Sequence, residues 1–201
     1  FGDSPYGPAQ LAEFPKLVDS INADRSVRTA VHVGDIKNGS SRCDDSYFLT
    51  IRGLFDGFRR SLVYTPGDNE WTDCHRANNG GYVPTERLAK IRSVFYPRAG
   101  RSLGQQPLRV LTQAEPDRLA EEFEDEGAEA PDGSHTTYVE NQMWRRADVV
   151  FSTAHIVGSN NNLAPWFGAS TLSAEQQAEY DKRLAADLDW IDATFDLAEA
   201  D

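Results

Sequence analysis

Three short stretches of this chain repeat one design, a run of strand-forming residues that ends in Gly-Asp. They are Phe1-Gly2-Asp3-Ser4-Pro5-Tyr6, Val31-His32-Val33-Gly34-Asp35-Ile36 and Tyr64-Thr65-Pro66-Gly67-Asp68-Asn69-Glu70. In an open α/β sheet, ligands gather outside the carboxyl ends of the strands. Parallel strands would therefore carry Asp3, Asp35 and Asp68 to one rim. The glycine before each aspartate permits a sharp turn and a close backbone approach. Clustered carboxylates repel one another unless a positive charge lies between them. An all-oxygen donor set favours a hard divalent cation such as Mg²⁺, Mn²⁺ or Ca²⁺.

The rest of the pattern fits an α/β chain. Leu11, Phe14, Leu17, Val18 and Ile21 predict a helix over Pro8 to Asp24, with Pro15 dividing it or starting its main part. Val27 to Ile36 reads as a strand. Asp44 or Asp45 caps a second helix to about Arg60, with Phe48, Ile51, Leu54, Phe55 and Phe58 as its buried stripe. Leu62 to Tyr64 is a short strand, and Pro84 opens a third helix carrying Leu88, Ile91, Val94 and Phe95. Thr136 to Val139 and Ala147 to Val157 read as strands, paired through Asn141 to Arg145. Ser173 and Gln176 form a capping-box pattern, followed by Tyr180, Leu184, Leu188, Ile191 and Phe195 on one helical face. The alternation predicts a layered α/β sandwich in a single domain.

Charge narrows the partners. The net charge is -12, and nine acids against one base lie between Glu115 and Asp132. Most of the excess therefore belongs to one segment, within an acidic insertion or loop at 98–135 where Leu119 to Glu126 is a short helix or a solvated loop. No basic face for nucleic acid is evident. No stretch approaches the ~20 apolar residues of a membrane span.

Val33-Gly34-Asp35 and Pro66-Gly67-Asp68-Asn69-Glu70 resemble two successive blocks of the calcineurin-like metallophosphoesterase family, the Gly-Asp and the Gly-Asn-His-Glu/Asp motifs. Phe1-Gly2-Asp3 falls where the family has its Asp-x-His. The helix Pro84 to Tyr96, the strand Ala147 to Val157 and the helix ending in Asp189-Trp190-Ile191 follow in the family's order. The resemblance implies mixed sheets flanked by helices in an α/β-β/α sandwich. It implies a phosphoester hydrolase with two divalent metals (Mn, Mg, Fe, Zn or Ca) and a metal-bound hydroxide. Asp35 would bridge them, Asp3 would hold the first and Asp68 the second. Its substrate would be a phosphorylated small molecule or another phosphoester.

Two departures matter. Pro5 replaces the first-block His, which removes an imidazole ligand. Asn69 replaces the His that assists the leaving group; an amide donates a hydrogen bond but not a proton at neutral pH. The family's two late His motifs would fall after the Trp190 helix, so the chain reads as a partial domain cut at both ends.

Other residues are candidates around this centre. Lys37, Asn38 and Asn160 are candidate phosphate contacts; Glu70 and His75 are candidate extra ligands. His32 reads as a satisfied core histidine, and His155 as a strand residue rather than a ligand. Cys43 and Cys74 each follow an Asp-bearing loop, so they form one bridge or stay as two buried thiols. A bridge would imply an exported or periplasmic protein. Two alternatives stand beside the metal reading. Phe1-Gly2-Asp3-Ser4 also resembles the first block of GDSL-type serine esterases, with Ser4 as nucleophile. Pro5 and Asn69 suit a catalytically degenerate binding domain.

Overall fold

The computed structural model describes residues 1–200. It is a mixed α/β fold with two small sheets and flanking helices. Helix α1 spans Gly7–Ala23, β1 Thr29–His32, α2 Asp45–Phe55, β2 Ser61–Tyr64 and α3 Pro84–Phe95. Then come β3 Leu111–Thr112, α4 Pro116–Glu126, β4 Gln142–Arg146, β5 Val149–Thr153, a single turn α5 Gly158–Asn161, and the long helix α6 Ala174–Glu199.

β1 and β2 pair in parallel, Thr29 opposite Ser61 through His32 opposite Tyr64. Phe1 to Asp3 extend this sheet on the other side of β1. Phe1 N–H donates to Val31 O (3.0 Å), Val33 N–H to Phe1 O (2.8 Å) and Asp3 N–H to Gly34 O (3.2 Å). All three Asp-bearing turns therefore leave one end of one parallel arrangement. The second sheet, β3-β4-β5, is antiparallel. An antiparallel bridge, Leu62 opposite Leu103, borders the parallel pair at β2.

Burial explains the layers. Ala30, His32, Leu62 and Tyr64 face α1, α2 and α3, meeting Phe14, Val18, Phe48, Ile51, Phe55, Ile91 and Phe95. On the opposite face Val31 and Val63 meet Val110 and Trp144. The second sheet's other face carries Leu111 and Met143 against Leu119, Phe123, Trp190, Ala193 and Leu197. Each buried side chain of this size contributes about 1.5–3 kcal/mol. No helix is long and apolar enough to cross a membrane among the described residues.

Several expectations are corrected. α1 runs unbroken through Pro15, because Phe14 and Val18 anchor the turns on both sides. Of the two readings for Leu119 to Glu126 the helix holds: α4 buries Leu119 and Phe123 and turns its acids outward. Thr136 to Val139 is turn rather than strand. The strand is Gln142–Arg146, and the hairpin turns at Ala147-Asp148, where Ala147 has φ 49°. β5 ends at Thr153, so His155 lies beyond it.

The face of α6 is also corrected. Leu188 and Phe195 are 54% and 64% exposed, while Gln176, Arg183, Ala186, Asp187, Trp190, Ala193 and Leu197 are buried. That side packs through polar pairs. Buried Arg183 donates to Glu179, to His155 O and to Asn161, and Asn141 donates to Asp187. The apolar spacing marked the wrong side of the helix.

Candidate functional site

The rim is built on strained backbone. Asp3 and Asp35 have φ of 52° and 56°, and Ser159, Asn160, Asn161 and Asn162 have φ between 52° and 70°. Among the described residues these are six of the seven non-glycine residues with positive φ. Such conformations cost on the order of 1 kcal/mol or more each and concentrate where function over-determines the chain. Gly34, at φ 84°, lies so close to the next turn that a Cβ there would stand 2.3 Å from Gly67 N. A Cβ on Gly67 would stand 2.2 Å from Asp35 Oδ1. Both glycines are therefore needed to seat the second and third turns together.

Polar side chains lock the three turns to one another. His32 Nε2–H donates to Ser4 O (2.7 Å), while its Nδ1 accepts from Gly34 N–H (3.2 Å). That leaves a neutral ring, and burial pushes its pKa down to about 4. The Tyr47 hydroxyl lies within reach of Pro5 O and Ile36 O. Cys43 and Cys74 form a fully buried disulfide, Cα–Cα 5.8 Å, which ties the loop after Asp35 to the loop after Asp68.

Asp35 sits half-buried at the centre. Its Oδ1 accepts the Asn69 backbone N–H at 3.2 Å. Burial pushes its pKa up to about 6, and the charges of Asp68 and Asp3 add to the rise. Asp3 is exposed and accepts the Tyr6 hydroxyl at 2.9 Å. Burial, that hydrogen bond and the charges of Asp35 and Asp3 keep the Tyr6 phenol protonated. Asp68 Oδ2 lies 3.0 Å from Ser159 Oγ, which is also 2.7 Å from Asp73 Oδ1. Burial raises the Asp73 pKa, and Arg76 at 2.6 Å opposes the rise.

The other sequence candidates divide. Lys37 is fully buried, and its ammonium donates to Asn38 O and Asn69 O (3.0 and 2.7 Å). Burial lowers its pKa to about 8. Its charge is spent on two loop carbonyls. Asn38 Oδ1 accepts from Ser40 N–H and Oγ–H, closing its own turn. Glu70 lies beneath the third turn, where Oε1 accepts from Gly67 N–H and Tyr64 OH. Burial pushes its pKa up to about 7. His75 Nδ1 accepts Phe167 N–H, so it pins a loop and does not join the carboxylates. Asn160 is exposed beside Ser159 on the α5 turn. His155 is buried, with Nδ1 against Glu140. The Ser4 hydroxyl has no hydrogen-bonded base among the described residues.

Tyr6, Asp73, Arg76 and Ser159 were not singled out from the sequence. Tyr6 directly follows the first turn and was within reach of that reasoning. Ser159 meets Asp68 across 91 residues, which no local pattern signals.

Among the described residues, no group of three or more His, Cys, Asp or Glu stands ready-made in metal-holding geometry. The carboxylates converge without a shared coordination point. Comparison with protein-family models, curated proteins and solved structures finds no match.

Proposed function

We propose that this chain is a metal-dependent phosphoester hydrolase domain of the calcineurin-like metallophosphoesterase type, with the layered α/β-β/α sandwich that belongs to it. The observation that carries the reading is Asp35. It is half-buried at the carboxyl end of a parallel strand, where burial first, and then the charges of Asp68 and Asp3, raise its pKa. The nearby Lys37 is turned away to backbone carbonyls. Three neighbouring carboxylates, with the Lys37 ammonium bonded to loop carbonyls and Arg76 paired with Asp73, suit a hard divalent cation. The donor set fits in chemistry. Side-chain rotation is needed to close it, since no three donors stand in coordinating position.

Asp3, Asp35 and Asp68 are the residues that would hold the cations. When bound, the metals supply charge stabilisation for the reacting phosphorus and acidify water. Tyr6 orients Asp3, and the Asn69 N–H orients Asp35. Ser159 Oγ lies between Asp68 and Asp73 with one proton for the two carboxylates. The Asn69 carboxamide can donate a hydrogen bond to a phosphate oxygen, but the leaving group must take its proton elsewhere. Pro5 and Asn69 support the second reading, a binding domain without turnover.

The buried disulfide supports an exported or periplasmic location. Metal content measured together with hydrolysis of a phosphomonoester and a phosphodiester tests the proposal. Bound Mn²⁺ with turnover supports the hydrolase, bound metal without turnover supports the degenerate domain, and absence of bound metal overturns the metal reading.

A further inference from the structure

Arginines collect at the opposite end of the first sheet. Between Tyr96 and Ala114 the chain has three arginines (Arg98, Arg101, Arg109) and no acid. Arg52 of α2 reaches the same place, and Arg60, just before β2, donates to Gln106 of this segment (2.9 Å). In a chain of net charge -12 this is a strong local reversal of sign. A cavity of about 500 Å³ lies within it, lined by Arg52, Arg98 and Arg101 with Ser102, Leu103 and Gly104. Among the described residues no carboxylate lines it.

The loop that carries these arginines is ordered by its backbone. Leu62 and Leu103 exchange two N–H···O bonds (2.9 and 2.8 Å), and Gln105 N–H donates to Phe58 O. Ser102 N–H donates to Leu108 O and Val110 N–H to Gly100 O. Gly104, at φ 88°, sits so close that a Cβ would stand 2.0 Å from Arg60 O. The contacts with Arg60 and Leu62 put the cavity at the start of β2, away from the rim where β2 ends.

The guanidinium groups have few partners. Arg52 donates to Asp56 and to Val94 O. Arg98 and Arg101 side chains make no hydrogen bond or ion pair among the described residues. A planar guanidinium pairs well with phosphate oxygens through two parallel hydrogen bonds. The volume is within the range of small-ligand sites.

We propose that this cavity binds a small anion with several phosphate groups, at a site separate from the carboxylate rim. Tripolyphosphate is the probe, titrated calorimetrically into the full chain at low ionic strength. Saturable one-to-one binding is expected, weakened about tenfold or more in an Arg98→Ala/Arg101→Ala double variant. Both residues are exposed, so an unchanged melting temperature is expected for that variant. Asp35→Asn should bind the probe as the parent chain does, which separates this site from the proposed metal rim. Absence of saturable binding overturns the proposal. So does binding that survives the double variant, or binding lost only in Asp35→Asn.

Discussion

Ser159 Oγ stands 3.0 Å from Asp68 Oδ2 and joins two segments 91 residues apart. The same oxygen is 2.7 Å from Asp73, and a hydroxyl has one proton to donate. The α5 turn is thus held directly on the third Asp-bearing turn. Arg183 secures it from α6 by donating to the side chain and the carbonyl of Asn161.

Ser159→Ala removes this orienting contact while changing little packing. Losing one hydrogen bond to a charged group costs about 1.5–3 kcal/mol where it is made. On the proposed function, kcat/KM and Mn²⁺ affinity should each fall by about tenfold or more, since 1.36 kcal/mol is a tenfold change. Calorimetric Mn²⁺ titration and initial rates measure this. Unchanged values would remove Ser159 from the site.

Glu70 gives a pH-dependent stability. Burial raises its folded pKa to about 7, above the ordinary 4.5. Its contribution is fully present below the unfolded pKa and is lost as pH rises through the folded one. Glu70→Gln keeps the acceptor for Gly67 N–H and Tyr64 OH without the buried charge. At pH 8 the variant should be more stable by on the order of 1–3 kcal/mol, converging with the parent below about pH 4.5. Thermal melts across pH 4 to 8 check it, and a less stable variant at pH 8 would contradict it.

The disulfide makes a third prediction. Cys43 and Cys74 enclose a sequence separation of 31 residues. Cross-linking a loop of that size stabilises by about 3–4 kcal/mol on the chain-entropy account. Cys43→Ser/Cys74→Ser should lower the urea midpoint accordingly. It should also reduce Mn²⁺ affinity, because the two rim loops lose their covalent tie. An unchanged midpoint would show that the bridge braces nothing.

Arg183 is buried with Glu179 and near Asp187. Removing one partner of a buried ion pair leaves an uncompensated charge, at a cost of about 3–5 kcal/mol. Arg183→Met should destabilise by that amount, and urea unfolding measures it. Loss of under 1 kcal/mol would mean the network is optional.

The rim was legible because its signal is local. Gly34-Asp35 and Gly67-Asp68 each need a glycine within the turn, and repetition at strand ends gave the shared edge. The helices α2 and α3 were legible through Phe48, Ile51, Phe55, Leu88, Ile91 and Phe95, which are buried. The inner face of α6 was not, because Arg183 and Asp187 are buried as partners and carry no hydrophobic signal. β4 was missed for a related reason. Met143 and Trp144 face opposite layers, while Arg145 and Arg146 make the strand look polar. The roles of Lys37 and Glu70 depended on which way each side chain turned, and the sequence does not encode that locally.

On the proposed function, Asp35 organises a metal-binding, phosphoester-cleaving rim. Asp35→Asn keeps the shape and an oxygen to accept the Asn69 N–H, while removing the charge. Bound metal, measured by inductively coupled plasma mass spectrometry on the purified chain, and bis-p-nitrophenyl phosphate hydrolysis should both be detectable in the parent. Both should fall to background in the variant, with melting temperature maintained. Equal metal content and equal hydrolysis in parent and variant would contradict the account.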